Sequence, residues 1–521
     1  PRQLSDQQLS RLDRYVTDWL GLHFPRKRWH DLERIVLHAA PELGFRSADE
    51  CIERLVSGQL GAEQKEILAS HLTIGETYFF REPDSFAFLE SHVLPGLIAS
   101  RRGRDQRLRI WSAGCSTGEE PYSLAILLNR LLPDIRDWQI TILATDINTR
   151  ALARASHGVY REWSFRGVPD WIRERYFTRT SGGRFELPYS IRKMVTFAVL
   201  NLAEDSYPSL SGNTNAMDII FCRNVLMYFE PGRQQQAIRG FHRSLLEGGW
   251  LFVSPCEASP VFSSCFGTVM FPGGCAYHKG NGRTKPHGMT VSGPAAAAPV
   301  EDLPVKQVRS PAESPQAPPV PRGAPTRQKR HHAPASPGAS PYEDALALYR
   351  LGSYAEAADL LAGFLERPET TSGARPLFGK AAVLLAHALA NQGRIELALE
   401  WTGRAIAIDK LNAELYYLRA TLFQERGAEP QAIASLRQAL YLDQNFVLAH
   451  FALGTLTLRQ GKFTEALRHF DNALSLVGAC PADAPLPGGD GMTAGRLSEI
   501  IASTRESMRG RDTARRRTTQ P

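Results

Sequence analysis

The residues best placed to do chemistry lie in Arg109-Ile110-Trp111-Ser112-Ala113-Gly114-Cys115-Ser116-Thr117-Gly118-Glu119-Glu120-Pro121-Tyr122-Ser123, an apolar run followed by small residues and then two carboxylates. The stretch reads as a buried strand, a tight loop and the start of a helix. Gly114 and Gly118 remove side chains where the backbone must turn and where a ligand can approach it closely. Glu119 and Glu120 suit the first turn of a helix, whose start carries partial positive charge. A second strand-like run, Gln139 to Thr145, ends in Asp146, and a carboxylate at a strand end can hold ribose hydroxyls. The loop is not G-x-G-x-x-G and lacks the Lys of a phosphate loop, so an adenosine-type ligand without phosphates, such as S-adenosylmethionine, suits it better than a dinucleotide or ATP. A plain strand-turn-helix in a buried sheet gives the same pattern, and Asp146 also reads as a helix cap before Asn148.

The elements that position these residues follow from periodicity. Between about Leu108 and Lys279 strands and helices alternate, which predicts a mainly parallel sheet with helices on its faces. Candidate strands are Leu108 to Ser112, Ile140 to Thr145, Met194 to Val199, Met217 to Cys222 and Trp250 to Ser254. Ligands bind such sheets beyond the carboxyl ends of the strands, so the loops at Gly114 to Glu120, Asp146, Asn201-Leu202 and Arg223-Asn224-Val225 matter most. A small antiparallel insertion is expected at about 177–191, around Ser181-Gly182-Gly183. Ahead of the sheet, residues 1–100 carry apolar side chains at helical spacing, for example Leu9, Leu12, Val16 and Leu20. Arg26, Lys27, Arg28 and Arg34 form a modest basic cluster there, facing either an acidic partner or solvent. Thr73 to Arg81 is densely aromatic and, as pattern alone, a core turn.

After the sheet region, 101–280, the composition of 281–340 shifts to Pro, Ala, Ser and scattered basic residues, which predicts a disordered linker. Beyond it Gly393, Gly427 and Gly461 recur at a period of 34, as do Ala386, Ala420 and Gly454, then Ala398, Ala432 and Ala466, then Ala405, Ala439 and Ala473. Four columns with one period predict tetratricopeptide repeats over 341–480, a stack that presents a concave surface to a protein partner. A purely self-packing helical domain is the plainer alternative. Residues 481–521 end in a basic run from Arg509 to Arg517 and are expected to be a disordered tail.

With 521 residues the chain has room for about three domains of ~150 residues. The formal charge of +7 is spread along the chain, so no nucleic-acid partner is expected. Seven widely spaced cysteines without a C-x-x-C pair give no disulfide framework or zinc site. The most apolar run, Ala381 to Ala390, is far below the ~20 residues of a membrane helix, and a cytoplasmic protein without direct membrane insertion is expected. His23, His30 and His242 have no partners at metal spacing and read as ordinary helix residues.

From about residue 5 to 279 the chain resembles the CheR-type chemotaxis-receptor methyltransferases. The match is carried by Thr73 to Arg81, Trp111 to Ser123, Ala144-Thr145-Asp146, Phe197 to Leu202 and Phe221 to Phe229. The appended repeats are most like the surface-sensing, biofilm branch of that family. The resemblance implies a Rossmann-like methyltransferase sheet, S-adenosylmethionine as cofactor, and methyl transfer to glutamate γ-carboxylates of a methyl-accepting chemoreceptor-like protein, with a further protein partner at the repeats. It implies cofactor contacts from Gly75, Thr77, Arg81, Glu120, Asp146, Asn201, Leu202, Asn224 and Val225. Gly75 departs from the family, many members having Asn there. Arg81 and Tyr228 are the candidates for orienting the reacting carboxylate; Tyr228 beside Phe229 also reads as a core tyrosine. Methylation of another carboxylate, or a repeat protein that binds the cofactor without turnover, would fit the same sequence.

Overall fold

The structure, a computed structural model, describes residues 4–45, 48–57, 60–204, 206–280, 340–366 and 375–505, except for single positions 483, 490, 491, 496, 499 and 503. The linker expected at 281–340 lies outside the described residues except for Ser340, and so does the tail from 506.

Among the described residues ten strands run in chain order: β1 (Arg107–Ala113), β2 (Gln139–Asp146), β3 (Val159–Tyr160), β4 (Thr178–Arg179), β5 (Phe185–Glu186), β6 (Val195–Val199), β7 (Met217–Phe221), β8 (Leu245–Phe252), β9 (Gly267–Phe271) and β10 (Gly274–His278). Seven form one sheet in the order β6-β2-β1-β7-β8-β10-β9. The first five pair in parallel, and β10 and β9 close the edge antiparallel. That final hairpin was not among the expected strands: its half-exposed face and Gly267, Gly273 and Gly274 dilute the apolar signal. The strand order reverses between β1 and β7, the place where a crevice opens beyond the strand ends. Every residue of β1 is buried, as helices on both faces require.

The expected insertion is a small sheet, β3-β5-β4, whose β3 comes from outside the predicted hairpin. Its Phe185 packs with Phe165, Phe177 and Phe79 in the core of the large sheet.

The N-terminal helices divide between two cores. Asp6–Leu20, Trp29–Ala39, Ala48–Val56 and Ala62–Leu72 enclose their own cluster around Leu12, Leu32 and Leu55, whereas Phe86, Leu89 and Leu94 of the helices from Pro83 to Arg101 belong to the sheet's core. His23 is a correction: it sits in the loop after Asp6–Leu20, beside Asp13 at 3.4 Å. Gly21 at φ +72 ends that helix, and Leu22 bridges to Phe229, so the segment follows extended pairing. In the basic cluster Arg26 pairs with Asp6, and Arg28 and Arg34 with Asp31, which makes it largely a solvated, internally paired surface.

Helices from Pro341 to Val477 form antiparallel pairs, and the recurring Gly352, Gly393, Gly427 and Gly461 lie in the turns at φ between +72 and +82. These left-handed turns explain the glycine column. The small-residue columns are the contacts between helices: Ala398, Ala432 and Ala466 are fully buried, and a Cβ on Gly454 would lie 2.6 Å from Phe470. The disordered tail expected from 481 is corrected for its first part, because Leu486, Ala494, Leu497 and Ile501 are buried against Tyr417, Phe446 and Leu448. The repeat turns abut the large sheet at the starts of its strands. Gly427 meets Gln139, Gly393 meets Leu246, and Arg107 of β1 pairs with Glu425 at 3.3 Å in a buried contact. Among the described residues no helix is long and apolar enough to cross a membrane.

Candidate functional site

A cleft of about 1370 Å³, counting the open space above it, lies beyond the carboxyl ends of β1, β2, β6 and β7. Gly75, Thr77, Arg81, Glu120, Asp146, Asn201, Leu202, Asn224, Val225 and Tyr228 all line it, so the ten residues singled out from the sequence meet in one place. Its floor is the turn after β1. Gly114, at φ +81, has no room for a side chain, since a Cβ would lie 2.4 Å from Val225 Cγ2, and its N–H donates to Thr145 O at 2.8 Å. Gly118, at φ +90, caps the helix Glu119–Leu131 against Ala155.

Asp146 ends β2 with its carboxylate turned into this floor. Its oxygens accept from Ser116 N at 2.8 Å and Asn148 N at 2.9 Å. It is not the helix cap: Asn148 takes that role by accepting from Ala151 N. Burial pushes the Asp146 carboxyl above its ordinary value despite these amides.

Glu120 accepts from Ser112 Oγ at 2.7 Å and stands 3.4 Å from Arg223; burial still raises its pKa, with Arg223 acting in the opposite direction. Arg81 lines the cleft with its guanidinium donating to Glu76 O at 2.8 Å. Gly75 O accepts from Ser116 Oγ at 3.2 Å, joining the aromatic segment to the glycine loop. Asn201 turns its amide inward, donating to Trp19 O and Glu204, while its Oδ1 accepts from Ala203 N; its contribution is to shape the turn that sets buried Leu202 in the cleft lining. The backbone O of Tyr228 accepts from His23 N at 2.9 Å, and through this contact Leu20, at the end of the first helix, and Leu22 and Phe24, in the extended segment after it, form one wall.

Three participants were given no role from the sequence, although Arg223 lies in one of the loops singled out there. Arg223, with its side chain 2% exposed, donates to Glu82 at 3.2 Å and to Arg81 O, and so ties Glu120 to the aromatic segment. Glu82 in turn accepts from Ser254 Oγ at 2.6 Å. Glu257 accepts from the backbone N–H groups of Asn224, Val225, Met227 and Ser254. Arg223 and Glu82 carry no local pattern, because their partners lie far away in sequence; Glu257 meets Ser254 locally in a capping box, but its other donors, Asn224, Val225 and Met227, lie at least 30 positions away. Phe80, Glu82, Ser116 and Asn224 all have left-handed φ between +49 and +59, which concentrates backbone strain around the cleft.

The donor set fits S-adenosylmethionine. The strand-end carboxylate of Asp146 would suit ribose hydroxyls, apolar Ile147, Leu202, Val225 and Phe229 would suit a nucleoside base, and the acidic Glu120 would suit a cationic amino group, all of them in the lining of one cleft. Among the described residues no group of His, Cys, Asp and Glu could hold a metal ion.

Comparison with known proteins agrees with this geometry. A family model described as "CheR methyltransferase, SAM binding domain" matches residues 75–270. Chemotaxis protein methyltransferase 2 of Vibrio cholerae is 31% identical over 288 residues, covering 55% of this chain and 98% of the relative. Chemotaxis protein methyltransferase 1 of Pseudomonas aeruginosa is 36% identical over 220 residues, 41% of this chain and 77% of the relative. The likeness to the probable biofilm formation methyltransferase WspC of Pseudomonas putida, 29% identical, extends over 88% of this chain and 96% of that protein, and therefore through the repeats. On the match to these proteins and to the cofactor-binding domain, the chain belongs to the CheR family of S-adenosylmethionine-dependent protein-glutamate methyltransferases.

Proposed function

We propose that this enzyme methylates glutamate γ-carboxylates on a methyl-accepting, chemoreceptor-like signalling protein in the cytoplasm, and so tunes a chemosensory or surface-sensing pathway linked to biofilm formation. The observation that carries this reading is a cofactor cleft with Arg81 and Tyr228 in its lining. A glutamate with pKa near ~4.3 is ionised at neutral pH and is already a nucleophile, so no general base is required. Bound S-adenosylmethionine supplies a methyl group on a positively charged sulfur. Arg81 and Tyr228 orient the incoming carboxylate, and the apolar Phe86, Leu202, Val225 and Phe229 limit its hydration; alignment of this kind contributes roughly 7–11 kcal/mol in favourable cases. Thr77, Glu120, Asp146, Asn224 and Val225 hold the cofactor, with Gly75, Asn201 and Leu202 supplying backbone and shape. The repeats bind a further protein partner, in keeping with the likeness to WspC through that region.

The test is methyl transfer from labelled cofactor to a receptor's cytoplasmic fragment, scored as methanol released by base. Arg81→Ala should lower the rate about 100-fold with an unchanged melting temperature. An Arg81→Ala enzyme of wild-type rate ends the assignment of Arg81, and label that base does not release as methanol ends the assignment of a carboxylate ester.

A further inference from the structure

We propose that Glu257 is a positioning residue for methyl transfer: by gathering the backbone amides of the turn after β7, it sets Asn224 and Val225 against the cofactor and Tyr228 against the methyl acceptor. The proposal rests on the function given above. Glu257 closes a short 3-10 turn, Pro255–Glu257, beyond the end of β8 and is only 3% exposed. Its Oε1 accepts from Val225 N at 2.7 Å and Met227 N at 3.2 Å. Its Oε2 accepts from Asn224 N at 2.8 Å and Ser254 N at 3.0 Å. Four amides from two loops therefore converge on one carboxylate, and a neutral side chain of the same size cannot replace it, because an amide group offers an acceptor at one atom and a donor at the other.

The turn so held is not at ease by itself. Asn224 is left-handed at φ +59, and its Nδ2 donates to Ser254 Oγ at 3.0 Å. The same Ser254 hydroxyl donates to Glu82, which accepts from Arg223. Glu257 thus anchors a chain of contacts that ends at Glu120 on the far side of the cleft. Burial raises the carboxyl's pKa above its ordinary value even with the amides in place.

The full-length chain with Glu257→Gln is compared with wild type by calorimetry of S-adenosylmethionine binding, steady-state methyl transfer and thermal melting. Loss of the arrangement should raise the cofactor Kd about tenfold and lower kcat about tenfold or more, with the KM for the methyl acceptor changed less than about threefold. A folded variant with wild-type Kd and kcat overturns the proposal, whatever its melting temperature. If Glu257→Gln does not fold, Glu257→Asp, which keeps the charge and withdraws it by one methylene, is measured in the same way, with the same outcomes deciding. Absence of cofactor binding by the wild-type chain would instead remove the functional reading on which the proposal stands.

Discussion

Asp146 is a half-buried carboxylate in the cleft lining whose ionisation weighs against the fold. Its folded pKa is raised, so the folded state holds the proton more tightly than the unfolded chain does. The stability it contributes is present below the carboxylate's unfolded value and is lost as pH rises through the raised folded value, which leaves a net cost at neutral pH. Asp146→Asn removes that cost while withdrawing one acceptor from Ser116 or Asn148. At pH 7.5 the variant should melt no more than about 1 kcal/mol below wild type and bind S-adenosylmethionine about tenfold more weakly, as read by calorimetry. A variant that binds the cofactor normally would show that this carboxylate is a spacer between two loops. Local rules made such residues legible before the fold was known. Gly114, Gly118 and Asp146 obey strand-end and turn chemistry that a short window contains. Arg223 and Glu82 obey no such rule, since their partners are brought to them only by the sheet, and the capping box of Ser254 and Glu257 gives no sign that Glu257 also gathers the amides after β7.

The helix Pro231–Ser244 carries the pH dependence that belongs to the scale of elements. His242 packs on Phe266, with Lys279 Nζ donating to its backbone O at 2.8 Å. Burial first, then the charges of Lys279 and Arg243, lower its pKa from 6.5 to about 4. The folded chain therefore keeps this imidazole neutral where the unfolded chain protonates it. The resulting stability is fully present above pH 6.5 and is lost as the pH falls toward 4, by on the order of 3 kcal/mol. Urea midpoints measured from pH 7 to 4.5 should fall in the wild type and fall less steeply in His242→Phe. Equal slopes would show that other groups dominate this window. The elements themselves were readable where one period prevailed: the alternation of β1, β2, β6 and β7 with helices, and the 34-residue columns. Reading failed where periods were short or mixed. His23 lies between Leu22 and Phe24 in an extended segment too brief to register, and β9 and β10 join through Gly273 with one face toward solvent. Leu486, Leu497 and Ile501 are separated by Pro, Gly and polar residues, so their packing on the last repeat is visible only in three dimensions.

For the whole molecule, the contact between the repeats and the sheet is the feature to test. Arg107 and Glu425 pair at 3.3 Å with little exposure, and Gln139 donates to Glu425 O beside them. Removing one member of a buried pair strands the other, at a typical cost of about 3–5 kcal/mol, whereas replacing both with apolar groups is often neutral. Glu425→Ala should accordingly lower the chain's stability to urea by about 3 kcal/mol, and Arg107→Met with Glu425→Leu should recover most of it. Cofactor affinity should be the same in all three proteins. An affinity that fell in parallel with stability would mean that strain at this contact reaches the cleft.

That contact also fixes a direction. The repeats meet the starts of the strands, and the cleft opens past their ends; β1 alone, seven residues at ~3.3 Å each, puts about 23 Å between the two. The face of the helical stack that is covered by the sheet and the mouth of the cleft therefore lie at opposite ends of the same parallel strands.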